Sequence, residues 1–249
     1  MRPLLRLLLL GAALLAWGSS ARAEQPLLAD LTSHLIAITT GFTGTSVVLF
    51  GATDGPGDII TIVRGPARDL VVRQKRHLAG IWVNAHSVDF LSVPSYYAVF
   101  SNRPPEQIAS TGMLALHQIG LKNLRLDPAD ATRPAGEIGT FRDALLDEVK
   151  RQGLYTEEPE SVKFLGERLF RTEISFPSNV PTGTYLVEIL LVRDGNVISG
   201  QTTPLVVSEI GLNAELNEFA FRAAWLYGLI AVAGAALLGW LASLPFRDA

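Results

Sequence analysis

Twenty-two consecutive residues near the C-terminus, Ala223 to Leu244, carry no charge. As an α-helix they would extend ~33 Å, enough to cross ~30 Å of hydrocarbon. Arg222 and Arg247 bracket the run, and Trp225, Tyr227 and Trp240 lie near its ends, where amphipathic rings favour the headgroup level. The run predicts one transmembrane helix over 223–244. Within it Ala223, Tyr227, Ala231, Ala235, Gly239 and Ser243 recur at four-residue spacing or multiples of it. A stripe of mostly small residues lets another helix approach closely. This face is therefore expected to pack on a polytopic membrane protein or on a second copy of the chain.

The N-terminal end has a different pattern. Arg2 and Arg6 precede an 11-residue apolar run, Leu7 to Trp17, and Ala21-Arg22-Ala23 follows. The run is too short to span a bilayer, and small residues stand where a signal peptidase cuts. Residues 1–23 read as a signal peptide. Removing them takes away Arg2, Arg6 and Arg22 and no acid, leaving 18 basic and 24 acidic residues and a net charge of −6. The expected location is the bacterial inner membrane, with a single pass. The bulk then lies in the periplasm and residues 245–249 in the cytoplasm. The acidic balance argues against a nucleic-acid partner. The chain has no cysteine, so disulfides, thiolate metal sites and thiol nucleophiles are excluded.

Between the ends, short β-branched and aromatic runs alternate with Gly and Pro. Strands are expected at 34–40, 45–52, 58–64, 69–75, 81–84, 88–92 and 96–101, and again at 169–176, 184–193, 197–200 and 205–208. Asp58 to Arg64 is apolar on both faces, as in a central strand. Asp194-Gly195-Asn196 is a hairpin signal. Phe141, Leu145 and Val149 share a helical face, with Thr140 and Asp143 resembling a capping box and Gly153 at the stop, so a helix is expected over 140–152. The expected fold is mainly β: an immunoglobulin-like β-sandwich body over 24–210 with a helical insertion at about 104–165. A juxtamembrane helix over 211–222 is expected to lead directly into the C-terminal transmembrane helix.

Several ordered blocks carry a family resemblance: IAITTGFTGTSVVLFGA, IVRGPARDLVVRQKRHLAGIWVN, VPSYYAVFS, FRDALLDEVKRQGLY and LFRTEISFPSNVPTGTYLVEILLVRDG. Together with the terminal apolar run, they resemble the alphaproteobacterial putative transmembrane protein family over essentially the whole mature chain. That family has no established activity and supplies no catalytic residues. The resemblance also implies companionship with sulfite-exporter-like permeases, which nothing in composition or spacing indicates.

No catalytic motif is found. G-x-S-x-G is absent, and Ser161-Val162-Lys163 falls one residue short of S-x-x-K. The histidines are His34, His77, His86 and His117; none shows metal-site spacing, although a hairpin joining His77, His86 and Asp89 would leave an envelope metalloenzyme as a remote alternative. Met113 alone cannot build a thioether copper site. No catalytic residue, metal site or cofactor is expected. The best polar cluster is Arg73, Lys75, Arg76 and His77. Strand alternation puts Arg73 and Lys75 on one face, which fits a small oxyanion, anionic lipid headgroups or an acidic partner. A solvated strand edge, where Lys and Arg discourage edge pairing, is the preferred reading. Trp82 reads as core, and Phe42 and Tyr96-Tyr97 are candidate contact points on loops, with packing as the default reading. The leading expectation is a non-enzymatic accessory subunit of a membrane complex. The alternative is an anion-sensing module using Arg73, Lys75 and His77.

Overall fold

The computed structural model describes residues 26–78, 80–210 and 224–243. Two sheets pack face to face. The first has the order β1 (Leu27–Leu31), β3 (Gly44–Thr53), β11 (Leu169–Pro177), β10 (Lys163–Leu165), antiparallel throughout. The second has the order β2 (Leu35–Ile38), β13 (Asn196–Glu209), β12 (Gly183–Arg193), β4 (Asp58–Arg64), β7 (Tyr97–Ser101), β9 (Glu160–Ser161). Its outermost pairs, β2 with β13 and β7 with β9, are parallel. The four-stranded sheet set against β13-β12-β4-β7 has the strand order of immunoglobulin-type sandwiches.

Alternation decides which face of the first sheet is buried. Along β11, Phe170, Thr172, Ile174 and Phe176 point inward while the residues between them are exposed. The second sheet differs, because β4 and β7 are buried on both faces. Ile59 to Val63 are fully buried, with one face toward the opposite sheet and the other under the insertion that follows β7. This is the cause of the two-sided apolar pattern of 58–64. Each such aliphatic side chain contributes roughly 1.5–3 kcal/mol of transfer free energy.

Buried tyrosines tie the layers together. Tyr185, near the start of β12, donates its hydroxyl to the Pro181 carbonyl at 2.6 Å. That is the corner bond found where immunoglobulin-type sheets cross over. Tyr96 donates to Ser175 O of the opposite sheet at 2.8 Å. Its ring lies 5.2 Å from Phe176 and 5.8 Å from Tyr185. Tyr97 donates to Gln118 O and accepts from Gly120 N, holding the insertion on the sheet. Burial pushes the Tyr97 and Tyr185 hydroxyls up to about 12.

The insertion contains α1 (Pro105–Ile108), α2 (Thr111–Leu116), strand β8 (Asp127–Pro128) and α3 (Ala135–Arg151). The expected helix over 140–152 begins five residues earlier, after Pro134. Thr140 is not a cap: its hydroxyl donates to Gly136 O one turn back. Gly136 and Gly139 in the first turns had masked the start, since glycine is a poor helix former. The C-terminal end is a Schellman motif. Gly153 sits at φ +69°, its N–H bonds Lys150 O, and Leu154 N–H bonds Val149 O.

Other boundaries also differ. The expected strands 81–84 and 88–92 are one strand, β6 (Ile81–Pro94), and 197–200 and 205–208 are one strand, β13. Pro204 lies between the two expected segments, just before β13 begins to pair with β2 at Val206. That is where an edge tolerates a missing N–H. Strand β1 was not anticipated. Its free edge is covered by Gln201, whose amide donates to Ala29 O and accepts from Ala29 N.

The transmembrane helix is corrected. Among the described residues no helix is long and apolar enough to cross a membrane. The last helix, α4, covers Ala224–Ser243. The expectation rested on the length of the run and its absence of charge. The packing face proposed for a span loses that premise. Ala223 lies outside the described residues, Tyr227, Ala231 and Ser243 lie on α4, and Ala235 and Gly239 are exposed there. The signal peptide (1–23), the juxtamembrane helix (211–222) and the tail (245–249) also fall outside the described residues.

Replacing Tyr185 with Phe removes the corner hydrogen bond and leaves the ring. The expected cost is about 1 kcal/mol, read as a lower urea midpoint at unchanged slope. An unchanged midpoint would show that the bond contributes nothing.

Candidate functional site

One element leaves the sandwich. Strand β5 (Ala67–Leu78) and β6 form a long antiparallel hairpin inserted between β4 and β7. Its base is fixed to the body. Gly65 N–H bonds Tyr96 O, and Ser95 N–H bonds Pro66 O. Leu70 pairs with Phe90 and Val72 with Val88, and Val88, Phe90 and Val93 are buried. Phe90 also pairs with Pro128 of β8. Two irregularities bend the hairpin. Near the base, Ser92 adopts φ +53° and donates its N–H to Asp69 Oδ1 at 2.9 Å. Further out, the register shifts between Gln74 and Lys75, leaving Ala85 as an extra residue on β6.

Beyond Val88 nothing among the described residues covers the hairpin. From Arg73 to Ser87 the described side chains are exposed on both faces, Val83 alone being half-buried. Register pairs share a face, so Arg73 opposite Ser87, Lys75 opposite Asn84 and His77 opposite Trp82 line one side. The His77 and Trp82 rings meet edge to face, with centroids 5.1 Å apart. Arg76 alternates to the other side, opposite Val83. At the tip, Ile81 is 63% and Trp82 69% exposed. Trp82 is thus not a core residue, which corrects the sequence reading. The available signal was the absence of any acid between Asp69 and Asp89.

The other singled-out residues lie elsewhere. His86 pairs with Gln74 while His77 pairs with Trp82, so three residues of β5 separate them, ~10 Å of strand. His34 bonds Asp30 at 2.9 Å on the surface. His117 Nδ1 lies 3.2 Å from Glu188 Oε1, and Arg64 bridges Glu188 at 2.6 Å and the His117 carbonyl. This half-buried cluster pins the end of α2 to the second sheet; sequence reasoning missed it because its members are far apart in the chain. Among the described residues no group of three or more His, Cys, Asp or Glu is placed to hold a metal ion. Ser161 and Lys163 sit on the short strands β9 and β10, and Ser161 O accepts from the Thr172 hydroxyl. Phe42 packs half-buried against the core, and Tyr96 and Tyr97 are buried.

Cavities lie on the body, away from the hairpin. A largely apolar groove of about 870 Å³ runs along the outer face of the first sheet, with Leu28, Phe50, Leu165 and Leu169 exposed along it. A polar cavity of about 700 Å³ includes Asp58, Arg103 and Arg193 in its lining. Asp58 accepts from Arg103 and from Asn102 Nδ2, and the Arg103 hydrogen bonds hold its carboxyl below the ordinary value of 3.8.

The described body is a two-sheet sandwich carrying a projecting basic hairpin. The family of the chain is recognised by a model described as "Putative transmembrane protein (Alph_Pro_TM)", which matches residues 26–248. The chain belongs to that family. No curated protein matches it.

The Asp58 bond has a definite pH signature. A carboxylate depressed in the folded state stabilises the fold above its unfolded value and loses that contribution as pH falls through the folded one. Arg103→Ala is expected to lower Tm near pH 6, with the difference from the native protein shrinking as pH drops below 3.8. A pH-independent difference would mean that the ion pair is not its source.

Proposed function

We propose that the protein is a non-enzymatic accessory subunit of a membrane complex, acting on the periplasmic face of the bacterial inner membrane. The observation that carries this reading is the hairpin: a firmly based arm with an uncovered distal half. A two-stranded ribbon without cover is marginal in water by itself, so its retention as a long projecting element favours a contact role. The leader-like pattern of residues 1–23 and membership of a family described as transmembrane support the location. A polytopic permease of the sulfite-exporter type is the partner class that the resemblance of the sequence implies.

The anion-sensing alternative has one observation in its favour: Arg73, Lys75 and His77 share a face. Among the described residues nothing encloses that face, and exposed cations on an open strand hold a small anion weakly against water and salt. The accessory reading is therefore preferred.

The chain lacks cysteine, so Ile81→Cys creates a unique attachment point at the arm tip. With a photo-crosslinker there, native membranes are expected to yield a discrete adduct with a polytopic protein. A probe at Glu167→Cys, on the body, should give none. The absence of any adduct from the arm, with the protein correctly exported, would contradict the proposal. Millimolar sulfite or sulfate is expected to leave Tm unchanged; a rise abolished by Arg73→Glu would favour the sensing alternative.

A further inference from the structure

The distal arm is chemically graded. Ile81 and Trp82 stand exposed at the tip. Lys75 lies ~7 Å and Arg73 ~13 Å further back along β5, counted from the His77–Trp82 pair. Between residues 70 and 88 the chain has Arg73, Lys75 and Arg76 and no acid, although the whole sequence is acidic in balance. We propose that this arm docks on an anionic lipid surface. Ile81 and Trp82 enter the headgroup layer, and the three cations lie against lipid phosphates. The inference rests on the arm being a contact element and concerns what surrounds its tip: headgroups at the partner's margin, with the partner within crosslinking reach but not enclosing the tip.

Three observations favour a lipid surface over a protein groove. The cations occupy both faces of the ribbon: Arg73 and Lys75 on one, Arg76 on the other. A protein partner reads one face or one edge of a hairpin, whereas a headgroup layer surrounds an inserted tip on all sides. Next, the order from tip to base is apolar and aromatic first, cationic behind. Tryptophan concentrates at that depth of a bilayer, and basic side chains concentrate just outside it. Finally, Trp82 is held edge to face by His77, so the ring is already presented at the tip.

The full chain carrying Ile81→Cys, labelled with the environment-sensitive fluorophore NBD, tests this. It is reconstituted in vesicles of phosphatidylcholine alone and of phosphatidylcholine with phosphatidylglycerol. The expected result is a blue shift and brightening in the anionic vesicles only, reversed by high salt. The response should weaken about tenfold or more in Arg73→Glu/Lys75→Glu, and Trp82→Ala should reduce the blue shift while keeping the salt dependence. NBD at Glu167→Cys is expected to report water in both vesicles. An identical spectrum at position 81 in both lipids, or a salt-insensitive shift, overturns the proposal. If position 81 crosslinks a protein in native membranes but ignores lipid charge, the accessory reading stands and the lipid contact falls. If it does neither, both fall.

Discussion

The two-sided burial of β4 is the constraint on which the rest of this structure depends. Five consecutive residues, Ile59 to Val63, leave water completely. One face is satisfied by the opposite sheet, but the other needs a second cover, and the insertion after β7 supplies it. The Arg64–Glu188–His117 cluster and the Tyr97 hydroxyl bonds hold that cover down. The same strand sets where the arm begins. The chain leaves β4 at Arg64, turns at Gly65-Pro66 and enters β5 at once. Because β7 must return to pair with β4, both ends of the hairpin are clamped beside each other. The distal half can therefore reach outward from a stiff base.

Where one physical rule governed a segment, its local structure was legible in the sequence. Asp58 to Arg64 has the bounds its pattern indicated. The Asp194-Gly195-Asn196 signal corresponds to the β12–β13 turn, with Asp194 and Gly195 at φ +49° and +78° as a primed turn requires. Gly153 closes α3 through a motif visible in its spacing. Rules that competed gave errors. Thr140 looked like a cap because two glycines upstream weakened the helical pattern. The expected strands 197–200 and 205–208 are one strand because Pro204 is tolerated just before β2 begins to pair at Val206. The uncharged run at 223–244 indicated a span by length and charge alone, and among the described residues no helix is long and apolar enough to cross a membrane.

The candidate site was half legible. Alternation alone put Arg73 and Lys75 on one face, and their cross-strand pairs fit that placement. Trp82 was misread because an aromatic residue near strand signals is usually core; only the length of the hairpin, and the loss of cover beyond Val88, puts it in water. The cluster around Glu188 was invisible because its members come from β4, α2 and β12.

The account makes the body a rigid platform and the arm its contact element. Hydrogen exchange on the full-length protein, in detergent and in native membranes, tests this most directly. In detergent, amides of 71–87 should exchange fast while those of 59–63 exchange slowest, since local stability follows cover by packed side chains. In membranes, protection should rise at 71–87 and stay unchanged in β4. Protection that leaves 71–87 unaffected and rises elsewhere would show that the arm is not the contact element.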